Sequence, residues 1–172
     1  MSEALSSLQK YLNKMEKFNH VNTLLYWDMR TNTPKEGFAG HSDALTYFST
    51  EQFAMSTSDE LKGLLDTLAE PEEFEQLDDK WKFVVTKMKT DMDRNRRIPK
   101  AFYESFVKAQ SESENAWEEA KEKADFSIFA PHLQKMIDMT AEMAGYTDPE
   151  KEVYDAVRPL GITEHVLYLN PK

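Results

Sequence analysis

Leu5, Leu8, Leu12, Met15, Phe18, Val21 and Leu25 recur at steps of three and four, the spacing that lays one apolar stripe along an α-helix. This predicts a helix over residues 2–28. It stops at Thr31-Asn32-Thr33-Pro34, because Pro34 disfavours helical geometry in Thr33 and the polar residues compete for backbone hydrogen bonds. Phe38, Ala44, Leu45, Phe48 and Phe53 give a second helix, over residues 35–55, a less regular apolar face. Thr57, three residues before Glu60, reads as a capping box that opens a short helix ending near Ala69, with Leu61, Leu64, Leu65 and Leu68 as its apolar positions.

Pro71 suits a helix start, where its missing N–H is not needed. From there Phe74, Leu77, Trp81, Val84, Val85, Met88 and Met92 carry one stripe to Arg94–Arg97, cations suited to a helix C-terminus. Pro99 opens the next helix, with Phe102, Phe106, Ala109, Ala116 and Trp117. Asp125, Phe126 and Ser127 mark a break, and a last helix runs over residues 128–144 through Leu133, Met136, Ile137, Thr140 and Met143, with Gly145 as its C′ residue. Only Val166 to Leu169 is locally strand-like. The expected fold class is all-α, built of long antiparallel helices or helical hairpins.

The chain has 172 residues, enough for one domain with its own core. Hydrophobic residues make up 40% and charged ones 30%, a globular composition rather than a disordered one. A formal charge of -10 disfavours nucleic acid or an anionic lipid surface as partner. The absence of cysteine excludes disulfides and thiolate metal sites. Met1 to Lys14 has no apolar signal-like region and no stretch approaches a membrane span, so a soluble, cytoplasmic protein is expected.

A helical metal site needs a histidine with a second ligand three or four residues away on the same face. Of His20, His41, His132 and His165, only His20 has one, Glu16, and that pair reads as a solvated helix contact. Carboxylate pairs such as Glu72 with Glu75, or Asp138 with Glu142, are common in a chain with 31 acidic residues and read as a solvated face. No nucleophile elbow or phosphate-cradling glycine loop occurs. The residues therefore supply no catalytic and no metal-binding set. Trp27 and Asp28 could line a cleft, but the preferred reading buries Trp27 and has Asp28 accept from the backbone of the Met29–Thr33 turn. Asp125, beside Phe126, reads as a helix cap. Phe48, Trp81, Met88, Phe106, Trp117, Met136 and Met143 read as core.

Two segments, Leu24 to Pro34 (LLYWDMRTNTP) and Trp117 to Leu133 (WEEAKEKADFSIFAPHL), resemble the carboxypeptidase Taq type of metallocarboxypeptidase. Its members carry LL-x-WD-x-x-T-x-MP and W-x-x-A-[KR]-x-x-x-DF-x-x-F-x-P-x-L. The matching motif residues are Trp27, Asp28, Thr31, Pro34, Trp117, Asp125, Phe126, Phe129 and Pro131. Arg96-Arg97-Ile98-Pro99 and Pro149 followed by Val153 to Ala156 extend the likeness. Thr33 stands where the family usually has methionine, and His41 near where arginine is common.

The resemblance implies the opening helices of a two-walled, helical cleft in enzymes that trim peptide C-termini with a divalent metal, zinc or cobalt. There two histidines and a distant glutamate hold the metal, and the glutamate of H-E-x-x-H is the general base. No position of this chain matches those residues. The expectation is a truncated relative, residues 1–156, with a divergent tail at 157–172. It is expected to lack the metal cofactor, to be inactive alone, and to form a homodimer or otherwise self-associate, like the family's common homodimers. A stand-alone helical interaction module is the alternative.

Overall fold

The computed structural model describes residues 2–157, and these are helical throughout, with turns between the helices. The order is α1 (Glu3–Thr31), a 3-10 turn (Lys35–Gly37), α2 (Phe38–Ser56), α3 (Asp59–Ala69), α4 (Pro71–Glu75), α5 (Asp79–Asn95), α6 (Lys100–Lys123), α7 (Phe126–Thr147) and α8 (Val153–Val157). The all-α expectation holds. The expected divergent tail and the strand-like Val166 to Leu169 lie outside the described residues, apart from Val157. No helix among the described residues is long and apolar enough to cross a membrane.

The chain divides within α6 into two compact units, Met1–Val107 and the part from Lys108 onward. In the first, α1 and α2 form an antiparallel hairpin: His41 near the start of α2 meets Asp28 near the end of α1, and Phe48 further along meets Phe18. Leu5, Leu8 and Tyr11 of α1 pack with Leu61, Leu65 and Leu68 of α3, Leu77 of the loop after α4, and Val85 and Met92 of α5, making one contiguous core. Tyr11 also ties α1 to the α2–α3 junction. Its hydroxyl donates to the Met55 carbonyl at 3.0 Å and lies 2.8 Å from Ser58 Oγ. The Phe53 and Tyr103 rings stack at 4.0 Å, and Lys100 pairs with Glu51 at 3.0 Å, so the start of α6 lies against α2. In the second unit Ala144 of α7 and Ala156 of α8 are buried together.

Several boundaries differ from the sequence reading. The N-cap of α3 is Ser58, not Thr57: Ser58 is extended (φ -69, ψ 154) and accepts from Leu61 N, whereas Thr57 still closes α2, its hydroxyl donating to the Phe53 carbonyl at 2.9 Å. The single helix expected from Pro71 to Arg94 is two. Asp78 caps α5 by accepting from Trp81 N at 2.8 Å, which ends α4 early and turns Leu77 into the core. Gly145 lies inside α7, which continues to Thr147. The buried face of α2 is Ser42, Thr46, Thr50 and Phe53, spaced by four, four and three, so of the expected apolar positions only Phe53 is fully buried.

Candidate functional site

The end of α1 is fastened by Asp28. Its backbone carbonyl accepts from Asn32 N at 2.9 Å and Thr33 N at 3.0 Å. The carboxylate accepts from Asn32 Nδ2 at 3.3 Å, Thr33 Oγ1 at 3.2 Å and His41 Nε2 at 2.8 Å. The Asn32 bond, with those of Thr33 and His41, holds the Asp28 carboxyl below the usual aspartate range, because each favours the charged form. The expectation that the Asp28 side chain accepts from the backbone of this turn is corrected: the backbone donors go to the Asp28 carbonyl, and the carboxylate takes side-chain donors. Thr33 and His41, the two departures from the family pattern, both touch this one carboxylate.

Helical spacing gives no sign of the His41 contact, because its partner lies thirteen residues away on another helix. Its Nδ1 faces the Gly37 carbonyl at 3.4 Å. The turn is tight there, since a Cβ on Gly37 would meet Thr33 Cγ2 at 3.1 Å. Thr31 donates to the Trp27 carbonyl at 2.7 Å, and Pro34 accepts from Gly37 N at 2.9 Å, so both motif residues shape the same turn.

Trp27 is not buried: 67% of it is exposed, with Leu24 one turn back 55% exposed. The expectation of a buried Trp27 is corrected, because the stripe that packs α1 runs through Leu5, Leu8, Tyr11 and Met29, off the Trp27 face.

The second motif segment builds the α6–α7 turn. Ala124 takes a left-handed φ of 50°, Asp125 N donates to the Ala120 carbonyl at 2.9 Å and Ala124 N to Lys121 at 3.3 Å, a Schellman ending with alanine where glycine is usual. Asp125 then caps α7 as expected, accepting from Ser127 N at 2.9 Å and Ser127 Oγ at 2.6 Å, which lowers its pKa. Phe126 is exposed and meets Phe129 edge to face at 6.1 Å. Pro131 lies inside α7 rather than at its first turn, so the Ser127 carbonyl has no helical N–H to accept. Trp117 is half-buried, with Lys121 Nζ 5.0 Å from its ring centroid.

Among the described residues no three His, Cys, Asp or Glu side chains converge where they could hold a metal ion. Asp28 and His41 are the one carboxylate–imidazole contact described, and they bind each other. Glu16 and His20 are both exposed on α1, and His165 lies outside the described residues.

The family model for the carboxypeptidase Taq (M32) metallopeptidase matches residues 7–160. Carboxypeptidase 1 of Bacillus subtilis is 35% identical over 159 residues, which are 91% of this chain and 31% of that protein. Thermostable carboxypeptidase 1 of Pyrococcus furiosus is 31% identical over 92% of this chain and 31% of its own length. The BsuCP crystal structure superposes with a TM-score of 0.84 at 33% identity, covering 91% of this chain and 31% of that one. The chain thus spans about a third of the length of these relatives. With most of its residues inside the family model, and the motif turns at Asp28 and Asp125 formed, the chain belongs to the carboxypeptidase Taq (M32) metallopeptidase family.

Proposed function

We propose that this chain is the N-terminal helical part of a metal-dependent carboxypeptidase, forming part of one wall of its substrate cleft, and that by itself it removes no residue from a peptide. The carrying observation is the likeness over 91% of this chain to only 31% of the BsuCP structure. The described residues do not fit the divalent ion that the family's chemistry implies. Asp28 and His41 are bonded to each other, and the groups beside them are the Asn32 amide, the Thr33 hydroxyl and the Gly37 carbonyl, so no second carboxylate or imidazole joins them. No hydrolytic step is routed through a metal here. Zinc or cobalt belongs, on this reading, to the complete fold.

Without the rest of that fold, the exposed apolar side chains of the chain drive self-association in solution. A cytoplasmic setting is part of this proposal.

The test is release of a C-terminal amino acid from an N-blocked dipeptide by the purified 172-residue chain, with zinc or cobalt added. No release above buffer is expected. Turnover that follows the added metal and is lost to a chelator sinks the reading. A stand-alone helical interaction module draws on one observation, the contiguous core joining α1, α3 and α5. A monodisperse chain with a specific partner unrelated to peptidases would favour it.

A further inference from the structure

We propose that the last two turns of α1, presenting Leu24 and Trp27, are the docking face for the helical remainder of a carboxypeptidase Taq fold, whether that remainder follows on the same polypeptide or comes on another. The proposal rests on the reading above and names the surface it uses.

Leu24 and Trp27 are three residues apart and so project from one side of the helix. They are 55% and 67% exposed, which sets two large apolar side chains next to each other on one helix face. The face is held firmly. Met29 is buried on another side of α1, Asp28 is bonded to Asn32, Thr33 and His41, and the Arg30 guanidinium lies 5.9 Å from the neighbouring Tyr26 ring. A rigid aromatic anchor of this kind is what a helical partner buries at low entropic cost.

The occupant follows from coverage. In the matched solved chain, this third of the fold is accompanied by a further two thirds of chain, which has to pack against it somewhere. A second copy is the weaker occupant, since each copy carries a formal charge of -10 and like charges oppose close approach. Self-association of the isolated chain therefore gives way when the remainder is supplied.

The full 172-residue chain is co-expressed with a tagged polypeptide comprising the part of Bacillus subtilis carboxypeptidase 1 that follows its matched third. Recovery on the tag is compared for wild type, the Leu24→Lys/Trp27→Lys double variant, and a control with Lys10→Glu on an exposed part of α1. Wild type and the control should co-elute with the tagged part, and the double variant should be recovered at least tenfold less. Circular dichroism melts of the free chains should coincide, since both substituted residues are exposed.

Equal recovery of the double variant overturns the docking face while leaving the functional reading standing. No complex with wild type, or a chain found only with copies of itself, overturns the proposal too. A complex that forms through this face yet shows no metal-dependent peptidase activity upholds the surface and counts against the functional reading alone.

Discussion

Replacing Tyr11 by phenylalanine tests whether the α1 helix is locked to the α2–α3 junction by one buried hydroxyl. Tyr11 is 7% exposed. One arrangement satisfies every proton: Leu61 N–H donates to Ser58 Oγ at 3.1 Å, Ser58 O–H to Tyr11 Oη at 2.8 Å, and Tyr11 O–H to the Met55 carbonyl at 3.0 Å. Tyr11→Phe removes the last two bonds, each worth about 0.5–1.5 kcal/mol net. The loss is softened because the Met55 carbonyl keeps Ser58 N–H at 3.3 Å and the half-buried Ser58 hydroxyl can turn to water. The expected cost is about 1.5 kcal/mol, or a fall in Tm of roughly 4–8 °C per kcal/mol for a unit of about 100 residues. Ser58→Ala loses the same partner and the α3 cap, about 1–2 kcal/mol. Because the two share a bond, the double variant should fall short of additivity by about 0.5–1 kcal/mol. Urea unfolding followed by far-UV circular dichroism and by tryptophan fluorescence measures all four corners of the cycle. Strict additivity, or a Tyr11→Phe protein within about 0.3 kcal/mol of wild type, well below the value of one hydrogen bond, would refute the relay.

Leu65, fully buried among α1, α3 and α5, should cost about 2–5 kcal/mol on truncation to alanine, read as a lower urea midpoint; a smaller effect would mean the core closes over the gap. Ala124→Gly removes a Cβ held at φ 50° and should stabilise the α6–α7 turn by about 0.5–1 kcal/mol, the relief of left-handed strain less the greater freedom of glycine when unfolded, seen as slower amide exchange in the last turn of α6. For Asp28 the folded pKa lies below the unfolded value of about 3.9. Its contribution is therefore present above that pH and lost as pH falls through the folded value. Asp28→Asn should accordingly flatten the acid limb of the stability profile, and an unchanged limb would show that the carboxylate is not held by Asn32, Thr33 and His41 in solution.

What the sequence determined by itself was local. Steps of three and four, Pro34, Pro71 and Pro99, and Asp125 before α7 were enough to read an all-helical chain and most of its breaks, because helix periodicity and capping act over a few residues. The motif segments were equally legible, as was the role of Asp125. Other features turned on competition between neighbours or on residues distant in sequence. Thr57 and Ser58 both qualify as caps, and only the closing turn of α2 decides between them. The break at Asp78 became visible when Leu77 joined a core shared with α1 and α3. The buried Ser42, Thr46 and Thr50 carry no apolar signal, so their face is set by how closely the helices pack. His41 reached Asp28 only through the hairpin, and Trp27, apolar and read as core, was left in water because the packing side of α1 was chosen by its partners α2 and α3. Periodicity says that a helix has an apolar side, but which residues that side finally buries depends on the surfaces that other parts of the chain bring to it.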